Sequence, residues 1–157
     1  GYGLASDRAV SGDWDGNGTD EVGVYRPAEG TFYQRRPDGT SATVLLGDVD
    51  DLPVSGDWDG NGVTDLGVFD QATATFTLRL VDANAHVWTS QLPLGVAGDL
   101  PVAGDWDGDA ITDLGVWAPG TATFTQGRAV FPMTSAPADA VATRMAVTTV
   151  QFGLPRR

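Results

Sequence analysis

Acidic side chains recur at alternate positions in three short stretches of the sequence. The stretches DWDGNGTDE (13–21), DWDGNGVTD (57–65) and DWDGDAITD (105–113) together hold 11 of the 21 acidic residues in the chain. Carboxylates this close in sequence repel one another unless a cation lies between them. The spacing therefore indicates three metal sites built from oxygen ligands.

The ligand types point to a particular metal. If the first Asp of each stretch is position 1, side-chain oxygens stand at positions 1, 3, 5 and 9, and we expect a backbone carbonyl ligand at position 7. Hard oxygen ligands in this number suit Ca²⁺ better than Mg²⁺, which retains more of its own water. The predicted ligands of up to three Ca²⁺ ions are Asp13, Asp15, Asn17, Thr19 and Glu21, then Asp57, Asp59, Asn61, Val63 and Asp65, then Asp105, Asp107, Asp109, Ile111 and Asp113.

Two positions depart from the common pattern. The first stretch ends in Glu21, and the neighbouring Asp20 is an alternative ligand. Position 6 is Gly in the first two stretches, which permits a sharp turn, but it is Ala110 in the third. A side chain at positive φ costs about 1 kcal/mol. We therefore expect the third loop either to bind more weakly or to adopt a different turn.

An EF-hand is excluded by the residues that follow. That motif requires a Glu at position 12 and helices on both sides. Position 12 is Val24, Val68 and Val116 in this chain, and the flanking segments EVGVY, DLGVF and DLGVW are typical of strands.

The acidic stretches belong to a longer repeat of 44 and 48 residues, and a Gly marks each repeat boundary at Gly3, Gly47, Gly95 and Gly153. Each unit is predicted to contain four short strands joined by turns, except that residues 138–147 have a weak helical pattern. Four antiparallel strands in about 40–50 residues are typical of a β-propeller blade. The sequence therefore predicts an all-β chain with blades at about 4–47, 48–95 and 96–153.

The repeated words resemble a known family. The motif D-x-[DN]-G-[ND]-G-x-x-D followed by LGVF, repeated with a GDW lead three times in phase and with departures at Glu21 and Ala110, is similar to the FG-GAP or VCBS-type repeat of integrin α-subunit propellers and many secreted bacterial proteins. The resemblance covers nearly the whole chain. It implies a calcium ion in the hairpin loop between the first and second strands of each blade, and a secreted, extracellular protein.

Three blades are too few to close a propeller, which has roughly 4–8. We therefore expect either a homo-oligomer in which two copies supply six blades, or the remaining blades of a longer chain. Without an initial Met or a signal peptide, the chain is expected to be a processed or excised piece. The net charge of −12 disfavours nucleic acid as a partner. No apolar run approaches the roughly 18 residues of a membrane span, so we expect no membrane insertion.

Catalysis is not expected from this composition. The chain has no Cys and a single His, His86, and it contains no phosphate-binding loop. The expected function is binding, in adhesion or in recognition of a protein or glycan. The alternatives are a non-catalytic scaffold or accessory domain of a secreted polysaccharide-active enzyme, and a structural assembly subunit. The repeated Trp14, Trp58 and Trp106 are expected to pack within the blades, whereas Tyr33, Trp88 and Trp117 are candidates either for ligand contact or for the core.

Overall fold

The computed structural model describes residues 2–82, 84–130 and 144–151, and these form three separate four-stranded antiparallel sheets. The first sheet contains β1 (Arg8–Gly12), β2 (Glu21–Arg26), β3 (Thr31–Arg35) and β4 (Ser41–Leu45). The second contains β5 (Leu52–Gly56), β6 (Asp65–Asp70), β7 (Thr75–Val81) and β8 (Val87–Pro93). The third contains β9 (Leu100–Gly104), β10 (Asp113–Ala118), β11 (Thr123–Val130) and β12 (Arg144–Gln151).

Each sheet is a meander in which neighbours in sequence are neighbours in space. The prediction of an all-β chain with three antiparallel sheets is confirmed, and among the described residues the only helical segment is a single 3₁₀ turn at Pro27–Glu29. The helix predicted from the pattern at 138–147 is wrong for residues 144–147, because these residues belong to β12 and pair with β11. Residues 138–143 lie outside the described part. Within that part, no helix has the length and apolar character needed to cross a bilayer.

Alternation of side chains explains how the strands are buried. In β7 the residues Phe76, Leu78 and Leu80 are fully buried, and the Thr and Arg residues between them face the other side of the sheet. The same position of each sheet carries an aromatic pair across the second and third strands. The ring centroids are 4.6 Å apart in each of the pairs Tyr25–Phe32, Phe69–Phe76 and Trp117–Phe124.

The core lies between the sheets. Tyr25 and Phe32 of the first sheet share one buried cluster with Leu66 and Val68 of the second. Phe69 and Phe76 of the second sheet share the other with Leu114 and Val116 of the third. We call the face with the aromatic pair the trailing face, and the face with Val22, Leu66 or Leu114 the leading face. The trailing face of each sheet therefore packs on the leading face of the next.

A pair of hydrogen bonds joins successive units next to the acidic loops. The Thr64 backbone N–H donates to the Asp13 carbonyl at 2.8 Å, and the Asp13 N–H donates to Thr64 Oγ1 at 2.9 Å. Thr112 makes the same two bonds to Asp57, at 2.7 and 3.0 Å. The first strands β1, β5 and β9 consequently lie side by side, and the three acidic loops emerge at one edge of the molecule.

Candidate metal centre

The acidic loops connect the first and second strands of each sheet, and the carboxylate at position 1 organises each of them. Asp13 accepts the backbone N–H of Gly18 at 2.7 Å and that of Asn17 at 2.9 Å. Asp57 accepts the N–H of Gly62 at 2.8 Å in the second loop. The loop is therefore wrapped around its first side chain, which is the shape an ion with many oxygen ligands requires.

The third loop keeps this turn in spite of Ala110. The φ angle of Ala110 is +67°, close to the +87° and +84° of Gly18 and Gly62, and its N–H donates to Asp105 Oδ2 at 2.9 Å. The backbone N–H groups of Ala110 and Gly108 lower the pKa of Asp105 by stabilising its charged form. The different turn considered for this loop is not adopted. A substitution at positive φ costs about 1 kcal/mol, and three N–H bonds to one carboxylate oppose that cost.

Three acidic groups are brought close enough to hold a metal ion. In each group, one carboxylate oxygen from each residue lies within 4.8 Å of the others. The groups are Asp13, Asp15 and Glu21, then Asp57, Asp59 and Asp65, then Asp105, Asp107 and Asp109. Glu21, rather than Asp20, therefore joins the first group. Asp113 is not in the third group; its Oδ2 accepts the Trp106 backbone N–H at 3.2 Å.

Positions 5 and 7 shape the loop locally. The side-chain oxygens of Asn17, Asn61 and Asp109 each accept the backbone N–H two residues later, at 2.7–2.9 Å. These bonds are Asx turns, which fix the chain direction at the predicted carbonyl ligands Thr19, Val63 and Ile111. The sequence analysis missed a second role of position 7. A Cβ placed at Gly16 would lie 3.0 Å from Val63 Cγ2, and one at Gly60 would lie 3.1 Å from Ile111 Cγ1, so this side chain covers the preceding loop.

Asp65 is the least accessible of the predicted ligands. It is only 3% exposed, and its Oδ1 accepts the Val81 N–H at 3.1 Å. Its Oδ2 is buried without a hydrogen-bond partner among the described residues. Burial, reinforced by the charges of Asp59 and Asp57, raises the pKa of Asp65 to about 8. A buried, unpaired carboxylate oxygen costs free energy that a bound cation would recover.

The third loop differs in its neighbours. Arg128 of β11 contacts Asp107 Oδ2 at 3.0 Å and also forms an ion pair with Asp109. The corresponding residues are Arg36 in the first unit and Leu80 in the second. The sequence analysis did not find this pairing, although an Arg at this register of the third strand in an acidic chain was the available signal. A guanidinium thus already neutralises part of the third acidic group.

The aromatic residues in the loops pack against glycines of their own sheets. A Cβ at Gly67 would lie 3.1 Å from the Trp58 ring, and one at Gly115 would lie 2.8 Å from the Trp106 ring. Among the candidates for ligand contact, Trp117 instead belongs to the repeated aromatic pair. The Tyr33 hydroxyl donates to Glu29 at 2.7 Å and accepts from Arg26 at 3.2 Å. The third candidate, Trp88, packs on the larger core cluster.

The three wrapped loops are lined with oxygen atoms, and each could hold a cation. No family model, no curated protein and no solved structure matches the chain. The repeated geometry of the acidic loops is therefore the main indication of function.

The raised pKa of Asp65 predicts how the stability of the metal-free protein depends on pH. The unfolded carboxyl releases its proton near its usual pKa of 3.8, whereas the folded one holds its proton up to about pH 8. The contribution of this group to the free energy of unfolding therefore falls as pH rises from about 4 to 8. In chelator at pH 8, Asp65→Asn should raise the free energy of unfolding by about 1–3 kcal/mol, because the amide carries no buried charge.

Urea unfolding in chelator at several pH values measures this effect. Asp50→Asn, an exposed acid outside the loops whose charge is only a minor cause of the raised pKa of Asp51, is the control and should change the pH dependence much less than Asp65→Asn does. A parallel pH dependence in Asp65→Asn and in the parent would contradict the assignment.

Proposed function

We propose that the chain is a calcium-stabilised, extracellular binding module whose three units are β-propeller blades of the FG-GAP or VCBS type. The observation that carries the metal part is Asp65, whose buried and unpaired Oδ2 belongs to a carboxyl group clustered with two other acids. A solvated acidic turn has no reason to bury a carboxylate in this way. The repetition of the same wrapped loop in all three units supports the same interpretation.

Calcium is favoured over other cations by the chemistry of the ligands. All the predicted side-chain ligands offer oxygen, and the described residues supply neither the thiolates nor the clustered imidazoles that favour transition metals. Asn oxygens and backbone carbonyls complete the coordination of a large ion with a flexible shell. Three such ions would change the net charge from −12 to −6. They would also relieve the repulsion within each loop.

Blade geometry is supported by how the sheets pack. Each sheet is a four-stranded meander that packs face to face on the next, and the first strands of the three sheets lie together. A propeller places the first strand of each blade nearest the central axis, with later strands progressively further out. Most of the predicted ligands are exposed, which suits a site of modest calcium affinity. Extracellular modules bind calcium with dissociation constants of about 10⁻⁴–10⁻³ M, so an extracellular location fits such sites.

Calcium should stabilise the fold more than magnesium does. A site filled at about 100 times its dissociation constant adds about 2.7 kcal/mol to the free energy of unfolding. We expect the melting temperature to fall in EDTA, to recover fully in excess Ca²⁺ and to recover poorly in Mg²⁺. Asp57→Asn, which removes the central carboxylate of one loop, should show a smaller calcium response than the parent. Superimposable melting curves in all three solutions would remove the metal assignment.

The third loop should bind calcium more weakly than its acid content suggests, because Arg128 competes for Asp107 and Asp109. Arg128→Ala should therefore increase the calcium affinity of one site in a calorimetric titration by about tenfold. Arg36→Ala is the matched control. It removes the same charge from the corresponding residue of the first unit, just after β3, but among the described residues Arg36 has no ion pair with the first loop. An equal gain in both variants would mean that only the net charge matters.

A cleft of about 350 Å³ beside the first acidic loop is a candidate ligand site. Its lining combines the Trp14 ring, Gln34, Arg35 and Arg36 with three carboxylates, those of Asp15, Glu21 and Asp38. With calcium bound to Asp15 and Glu21, the two arginines would outnumber the one remaining acid, and the surface would suit a carboxylate-bearing sugar or peptide. Calcium-dependent binding to acidic glycans on an array, lost in Arg35→Gln and retained in Arg8→Gln, would support the binding role. Hydrolysis of a polysaccharide by the purified chain would instead favour an enzyme.

A further inference from the structure

The contact between successive units is made twice within the chain, and its two halves recur at the two ends. One half is the trailing side of a unit. It contains the backbone of the position-1 aspartate (Asp13, Asp57 or Asp105), the Gly at position 4 (Gly16, Gly60 or Gly108) and the aromatic pair. The other half is the leading side of the next unit, which contains the residues at positions 7, 8 and 10. In the first unit these are Thr19, Asp20 and Val22. The first unit has a leading side and the third has a trailing side for which the described residues provide no adjoining unit.

On the trailing side of the third unit, groups that the next unit covers in the first two units have no such cover from the described residues. No described residue pairs with the Asp105 backbone N–H, whereas the N–H groups of Asp13 and Asp57 both bind a Thr hydroxyl. A Cβ at Gly108 would meet no atom of the described residues within 4 Å, in contrast to those at Gly16 and Gly60. Trp106 is 41% exposed, whereas the corresponding Trp58, which the next unit covers, is 1% exposed.

The leading side of the first unit shows the complementary feature. Val22 on β2 is 60% exposed, whereas the corresponding Leu66 and Leu114 are 2% and 0% exposed. Both of those leucines are covered by the aromatic pair of the preceding unit. Thr19 and Asp20, at the positions of the inter-unit contacts, are also exposed.

From these two ends we infer that the leading side of the first unit binds the trailing side of the third unit in a second copy of the chain. The occupant is identified by repetition: the surface at Asp105, Gly108 and Trp106 is the one that twice accepts a unit of this same kind. Val22 would then lie against the Trp117–Phe124 pair, as Leu66 lies in the cluster of the Tyr25–Phe32 pair. Such a contact is head-to-tail, so two copies can close into a ring of six units.

Asp20 sets the strength of this contact. Position 8 is Thr64 and Thr112 where the contact forms within the chain, and each hydroxyl accepts the position-1 N–H. Asp20 retains an acceptor for the Asp105 N–H, but it lacks the methyl group by which Thr64 and Thr112 pack on the glycine just before position 1 of the preceding unit, Gly12 or Gly56. It also adds a negative charge beside an acidic loop. We therefore expect a weaker, reversible association between copies than between units of one chain.

Sedimentation velocity over a range of concentrations tests the inference, and we expect the parent chain to associate reversibly. Val22→Asp should weaken association at least tenfold without affecting folding, because the side chain is exposed. Val96→Asp is the matched control, since Val96 is 65% exposed and the corresponding residue of the preceding turn is already Asp48. The control should associate as the parent does.

Two further variants test the geometry. Asp20→Thr, which restores the repeated residue, should associate about tenfold more tightly than Asp20→Val, which removes the same charge but has no acceptor. A mixture of Val22→Asp and Trp106→Asp should associate although each alone does not, because each variant keeps the side that the other has lost.

The outcomes are distinct. A closed pair and a longer head-to-tail oligomer both contain this contact and support it. The inference is overturned if the parent is monomeric throughout the concentration range. It is also overturned if Val22→Asp behaves like Val96→Asp, or if the mixture shows no rescue. All measurements are made with calcium and again with chelator, so that a failure of the metal assignment is separable from a failure of this contact.

Discussion

The aspartate at position 1 of each acidic loop is the residue on which the local structure of every unit depends. Its carboxylate accepts backbone N–H groups of its own loop, and in the first two units its backbone also binds the position-8 threonine of the next unit. One residue therefore fixes both the shape of the loop and the placement of the neighbouring sheet. A change in loop conformation should consequently alter the contact between units, and a change in that contact should alter the loop. This coupling explains how a small, largely polar loop can influence the packing of an apolar core.

The core itself cannot form within one unit. The aromatic pair of a sheet is buried by residues on the leading face of the next sheet, as Tyr25 and Phe32 are by Leu66 and Val68. Burying a large apolar side chain contributes about 1.5–3 kcal/mol, and an isolated unit would forgo that contribution on both faces. Stability in such an array is a sum of unit and interface terms, and the terminal units contribute least. The exposure of Val22 at one end and Trp106 at the other reflects the same rule.

The regular features of the sequence predicted the regular features of the structure. Alternation in TFTLRLV and the recurrence of DLGV placed the strands, and the spacing of acids placed the clusters, because both depend on local chain geometry. Contacts between units were less accessible to prediction. Thr64 and Thr112 looked like ordinary loop residues, since their partners lie 51 and 55 residues away. Arg128 was missed for the same reason, because only strand register brings it to the third loop.

The three loops resolve the same electrostatic problem in different ways. In the second loop Asp65 is buried beside two other acids, and without a cation its charge is opposed by desolvation and by its neighbours. In the third loop Asp113 is turned to a backbone N–H, and Arg128 supplies a positive charge from the protein itself. In the first loop the longer Glu21 accepts the Trp14 N–H at 3.1 Å, as Asp113 accepts that of Trp106, but no described cationic side chain forms an ion pair with the acids of this loop. A cation must displace an arginine in the third loop alone, so equal sequences of acids do not imply equal affinities. The second loop, in which Asp65 Oδ2 is buried without a hydrogen-bond partner among the described residues, has the most to gain from an ion.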